Sequence, residues 1–154
     1  MIIISDKIKK IYPKALLGIL VMKNVCNPNQ HDDEEFNRCK LELESNLRKK
    51  FANLDRSDLK KMEPIKTYQD YYKRFKKTYH VLLQLESIVF KSKSIPKVAS
   101  LVEVMFMAEL KNLLLTAGHD LEVVDMPIKL DVASGGEKYT LLNGQEKELL
   151  SGDM

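Results

Sequence analysis

The spacing of apolar residues changes once along this chain, and that change constrains its fold more than any other feature. Between Asp32 and Leu110 the apolar side chains recur mostly at three- and four-residue steps, the period of helices with one buried face. After Ile128 they fall into short alternating runs, 128–132 and 138–142, separated by turns at Gly135-Gly136 and Asn143-Gly144. The Asn-Gly pair is a hairpin signal. Helices first and short strands last is the order of an α+β domain.

Individual segments follow from this pattern. Residues 15–25 are apolar and rich in branched side chains, and Asn24 and Asn27-Pro28-Asn29 end them, so they read as a buried strand closed by a turn. Asp32-Asp33-Glu34-Glu35 opens a helix and Arg48-Lys49-Lys50 closes it, both clusters complementing the helix dipole. Phe36, Cys39, Leu43, Leu47 and Phe51 form its buried stripe, which makes Cys39 a core residue rather than a nucleophile. Ser57-Asp58 and Pro64 bound a short helical turn. Thr67 and Asp70 resemble a capping box opening the next helix. Tyr68, Tyr72, Phe75 and Tyr79 share one face there, with Lys73, Arg74, Lys76 and Lys77 on the rest. That interleaving suits RNA, yet the four-residue spacing turns the rings inward and leaves only the cations for an RNA backbone. Leu82–Phe90 is helical, and Val98–Leu110 is a mostly buried helix whose only charges are Glu103 and Glu109. Leu113–Thr116 reads as a buried strand and Ala117–Asp120 as the turn leaving it.

A length of 154 residues bounds this to one domain, 1–154. The longest apolar stretch, Ala15–Met22, is far short of the roughly 20 residues of a membrane helix. Ile2, Ile3 and Ile4 followed by Asp6 do not resemble a signal peptide, and two unpaired cysteines suit a reducing compartment, so a cytoplasmic protein without membrane partners is expected. The net charge is +3, but residues 120–154 hold eight acids against three lysines, −5, which leaves +8 on the first 119 residues. A basic body suits a polyanion such as RNA; solvated lysine-rich helices give the same count.

Chemistry is narrowed by elimination. Gly135-Gly136 has neither the Walker nor the dinucleotide spacing. His31, His80 and His119 lie far apart and no Cys-x-x-Cys accompanies them, so no metal or other cofactor is expected. No Gly-x-Ser-x-Gly elbow occurs. What remains is Thr116, His119 and Asp120, facing Glu103 or Glu109 on the preceding helix. A His-Asp pair there can bind a substrate amine or orient a water; it can equally be a turn in which Asp120 caps backbone amides.

The run Leu101-Val102-Glu103, Glu109-Leu110 and Ala117-Gly118-His119-Asp120-Leu121 resembles the B3/B4 domain of the bacterial phenylalanyl-tRNA synthetase beta subunit without a gap. Ile128-Lys129-Leu130 with Ala133, Gly136-Glu137 and Thr140-Leu141-Leu142-Asn143-Gly144 parallel its next strand, Gly-Glu turn and hairpin. The wording Leu115–Asp120 is similar to stand-alone members of that family. The resemblance is carried by about a third of the chain. It implies helices packed on a mixed or antiparallel sheet whose C-terminal strands, found in the family beyond the point matching Met154, are missing here. It also implies association with tRNA, and metal-free hydrolysis of mischarged tRNA in trans. On that resemblance the catalytic candidates are His119, Asp120 and Glu109 and the substrate-binding candidates Glu103, Thr116 and Gly118, while the basic run itself offers Lys73, Arg74, Lys76 and Lys77 as the RNA-binding residues. Met105-Phe106-Met107 replaces the family's Thr-Asn-Tyr, and the pocket glutamate falls near Lys111 or is displaced to Glu109. A non-catalytic module for a small ligand or a protein is the alternative. A sheet lacking strands has an open edge, at which a homodimer or another chain can pair.

Overall fold

The computed structural model describes residues 2–25, 33–141 and 143–153. The chain is α+β and divides into two compact units, Met1–Lys23 with His119–Met154, and Asn24–Gly118. The turn expected at Asn27-Pro28-Asn29 lies outside the described residues, as do Cys26, His31, Asp32 and Leu142.

The first unit holds β1 (Ile2–Ile4), α1 (Asp6–Ile11), β2 (Ile128–Leu130), β3 (Lys138–Thr140) and β4 (Glu146–Glu148). β1 pairs parallel with β2, Ile2 opposite Ile128, while β3 and β4 form an antiparallel hairpin, Thr140 opposite Glu146. The hairpin is the one announced by Asn143-Gly144; Gly144 takes φ +81°, which a side chain would oppose. Among the described residues of this unit Ile8 and Val132 are the buried apolar side chains, and Tyr12 donates its hydroxyl hydrogen to the Gly152 carbonyl at 3.1 Å. Two separate two-stranded ribbons therefore stand where a single sheet was expected.

Residues 15–25 are not a buried strand. They run irregularly, with Leu16 99% and Leu20 82% exposed. Apolar composition favours burial, but a strand also needs a neighbour for its amides; among the described residues the Ala15 amide bonds back to the Tyr12 carbonyl at 3.0 Å and the residues from 16 to 23 have no such bond.

The second unit is helical: α2 (Glu34–Lys50), α3 (Arg56–Lys61), α4 (Glu63–Lys73), α5 (His80–Lys91) and α6 (Ser100–Asn112). Asp33 caps α2 through the Phe36 amide, and Asp55 with Asp58 forms a capping box on α3. Met62 ends α3 and opens α4, where Pro64 fits the first turn; Thr67 consequently lies inside α4 and caps nothing. Leu47, Phe51, Leu59, Ile65, Tyr79, Leu82, Leu85, Ile88 and Leu110 make the core.

The stripe of α2 stands as expected at Leu47 and Phe51, with Leu43 packed against the core, but it departs from expectation around Cys39. Lys40, Glu44 and Leu47 are buried and Cys39 is exposed. The cause is ionic. Lys40 meets Glu103 of α6 at 2.5 Å, and Glu44 takes the Arg48 guanidinium at 3.2 Å and the Ile95 amide at 2.8 Å. Glu103 also accepts the Val98 amide at 2.8 Å, and Glu86 takes Arg56 at 2.7 Å. Buried charge is tolerable only when paired in this way.

Candidate functional site around Glu109

The fourth buried carboxylate of the helical unit is Glu109, 3% exposed in the last turn of α6. It has no lysine or arginine partner among the described residues. Its Oε1 accepts two hydrogen bonds from Thr116, from the backbone amide at 3.0 Å and from the hydroxyl at 3.1 Å. Its Oε2 lies 3.4 Å from Nε2 of His80, an ion-pair distance without the alignment of a hydrogen bond. The His80 side chain is 43% exposed.

The local chain explains this cluster. Leu113 closes α6 in the left-handed region at φ +57°, its amide returning to the Glu109 carbonyl. A leucine held there costs about 1–2 kcal/mol. Tyr79 secures the turn by donating its hydroxyl hydrogen to the Leu113 carbonyl at 3.2 Å. Burial, and then the nearby Tyr68 and Glu109, push the Tyr79 phenol well above its ordinary value, so it stays a neutral donor. Beyond Leu113 the chain folds back and places Thr116 on Glu109. Leu113–Thr116 is therefore not a buried strand: Leu114 and Leu115 are 48% and 39% exposed, and the Thr116 amide is spent on a carboxylate rather than on a ladder.

Of the residues singled out in the sequence, Glu109 and Thr116 come together. Glu103, six residues earlier on α6, is committed to Lys40 and Val98. Gly118 is exposed, and a side chain there would meet Met105 Sδ at 2.5 Å, so glycine lets the chain pass close to that methionine. His119 and Asp120 belong to the other unit. Both are exposed, and Asp120 Oδ1 accepts the Glu122 amide at 3.0 Å, a turn-forming bond.

The cations Lys73, Arg74, Lys76 and Lys77 lie at the end of α4 and in the turn after it, all exposed. Lys73 reaches Asp70 at 3.3 Å, and the Arg74 guanidinium sits near the Tyr71 and Phe75 rings. The rings pack on one another, Tyr68 stacked on Tyr79 at 4.6 Å, so they turn inward and the cations outward.

Comparison with family models, curated proteins and solved structures finds no match. The site therefore rests on its own chemistry. An imidazole beside a buried carboxylate is the pairing from which an oriented general base is built: a small turn of the ring that aligns Nε2–H with Oε2 would leave Nδ1 to take a proton. Sequence reading missed His80 because its partner lies on another helix. The available signal was its position directly after the basic run. No cluster of three metal-binding side chains occurs, and no helix is long and apolar enough to cross a membrane, among the described residues.

Proposed function

We propose that this chain is an RNA-associated module of the B3/B4 type that binds tRNA and hydrolyses the ester of mischarged tRNA in trans. The observation that carries the reading is the adjacency of two features on one stretch of chain. The exposed run Lys73–Lys77 leads, within three residues, to His80 and the buried Glu109 behind it. A polyanion held on the cations brings its end near an imidazole that lies 3.4 Å from a buried carboxylate. His80 serves as the base that activates water, with Glu109 orienting it and Thr116 fixing Glu109 in turn. His119 and Asp120, expected from the resemblance to share this work, are the competing assignment for the imidazole. Fold assignment at the level of the B3/B4 family is part of the same proposal.

The test is hydrolysis of tyrosyl-tRNA(Phe) beside phenylalanyl-tRNA(Phe). Selective release of tyrosine that drops by at least ~100-fold in His80→Ala, with tRNA affinity kept, supports the proposal. Loss on His119→Ala but not on His80→Ala moves the chemistry to the other histidine. Salt-sensitive tRNA binding without release leaves a binding module, and absence of both leaves a domain for a small ligand or a protein.

A further inference from the structure

Residues 15–22 are eight apolar positions in a row, lying bare in the first unit. Leu16, Leu20 and Met22 are 99%, 82% and 55% exposed, and Leu17, Ile19 and Val21, on alternate positions, are 45%, 59% and 57% exposed. Side chains at both even and odd positions of the segment are therefore uncovered. Its backbone is equally bare: among the described residues, 16–23 make no hydrogen bond. All six of those residues are 45% exposed or more, a contiguous apolar run of the kind that marks an interaction surface.

We propose that this segment is a docking strand for a second copy of the chain, paired antiparallel with itself about Ile19. The occupant follows from self-complementarity. With Ile19 opposite Ile19, Leu17 faces Val21, Leu16 faces Met22, and Leu20 faces Gly18, where nothing lies within 4 Å of an added Cβ. The flanking charges also fit this register. Lys14 falls opposite Asn24 and Lys23 opposite Ala15, whereas moving the centre of pairing half a residue toward Gly18 would set Lys14 against Lys23. Pairing in this way gives every strand residue on one edge a backbone partner and buries apolar side chains against their own kind. Such an isologous contact closes on itself and stops at two copies. Lysines at both ends keep the remaining edges from extending the ribbon.

Sedimentation equilibrium at micromolar concentration tests this on the full chain. The wild type should be a dimer. Ile19→Lys sets two cations face to face at the centre and should weaken self-association at least 100-fold, with the circular dichroism of the helical unit unchanged. Ile19→Glu alone should do the same, and an equimolar mixture of the two should recover a dimer. A monomeric wild type overturns the proposal, and so does a wild type that is monomeric in solution yet binds neutral phosphatidylcholine vesicles. A dimer that survives both single substitutions, or two variants that fail to recover it together, also overturns it.

Discussion

Removing Glu103 should destabilise the helical unit far more than removing Glu103 and Lys40 together. The Glu103 side chain is fully buried and that of Lys40 is 11% exposed, at 2.5 Å from each other. Glu103→Leu deletes the counter-charge and also the acceptor of the Val98 amide, leaving an ammonium in the α2–α6 contact. Breaking one side of a buried pair costs about 3–5 kcal/mol, because the surviving ion keeps its desolvation penalty. Lys40→Met strands the carboxylate instead and should cost a similar amount, about 3 kcal/mol, with the Val98 amide softening it. The double variant buries a leucine and a methionine where two ions were, and replacements of that kind are often neutral or stabilising. Its net cost should therefore be about 1 kcal/mol, chiefly the orphaned Val98 amide. The four proteins form a double-mutant cycle with a coupling of several kcal/mol. Urea unfolding followed at 222 nm reads it, and in thermal unfolding Glu103→Leu should lower Tm by on the order of 12 °C or more for a unit of roughly 100 residues. If Glu103→Leu costs less than ~1 kcal/mol, or the double variant equals the sum of the singles, the pair is solvated and the reasoning fails.

Three other outcomes are expected. Replacing Lys73, Arg74, Lys76 and Lys77 by Ala should flatten the dependence of log affinity for tRNA on log salt by roughly 3, measured by anisotropy across a KCl series; an unchanged slope would place the RNA elsewhere. The Lys129 ammonium, then Ser5 and the Val132 amide, hold Asp131 far below the carboxylate range, and backbone amides of the Ser134 turn hold Glu137 below it. Both pKa values are depressed by folding, so their stabilisation is present above the ordinary value of about 4 and drains away on acidification below it. Hydrogen exchange in β1, β2 and the 134–137 turn should quicken there, and less so in Asp131→Asn. The raised phenol of Tyr79 has the opposite sign: its contribution is complete below about pH 10 and falls as pH climbs past it, so Tyr79→Phe should lose about 1 kcal/mol at neutral pH and unfold with a flatter alkaline limb.

What could be read in the sequence was what neighbours in the chain decide. Asp33 before α2, helix over Leu82–Phe90 and the Asn143-Gly144 hairpin all follow from residues close in the chain, and these stand as expected, whereas the capping box lies at Asp55 and Asp58 and not at Thr67 and Asp70. Lys40 and Glu44 were not part of the stripe read from the sequence, because their partners, Glu103 and Ile95, come from distant elements. Cys39 was placed inside for the same reason, one position out of phase. Leu113–Thr116 is apolar enough for a strand, yet a left-handed leucine pinned by Tyr79 redirects it. The candidate site divides along the same line: Glu109 and Thr116, seven residues apart, were legible together, whereas His80 was seen only as a histidine too isolated to bind metal.

The parallel pairing of β1 with β2 sets an order on synthesis. Ile2 leaves the ribosome early and its partner Ile128 late, with the whole helical unit made in between. At ordinary elongation rates that interval is on the order of ten seconds, long enough for helices that need only each other to fold. The first unit, by contrast, cannot close before the residues from His119 onward exist. During that wait the nascent chain carries an unpaired isoleucine strand and the apolar run that follows α1, both exposed to water until β2 is made.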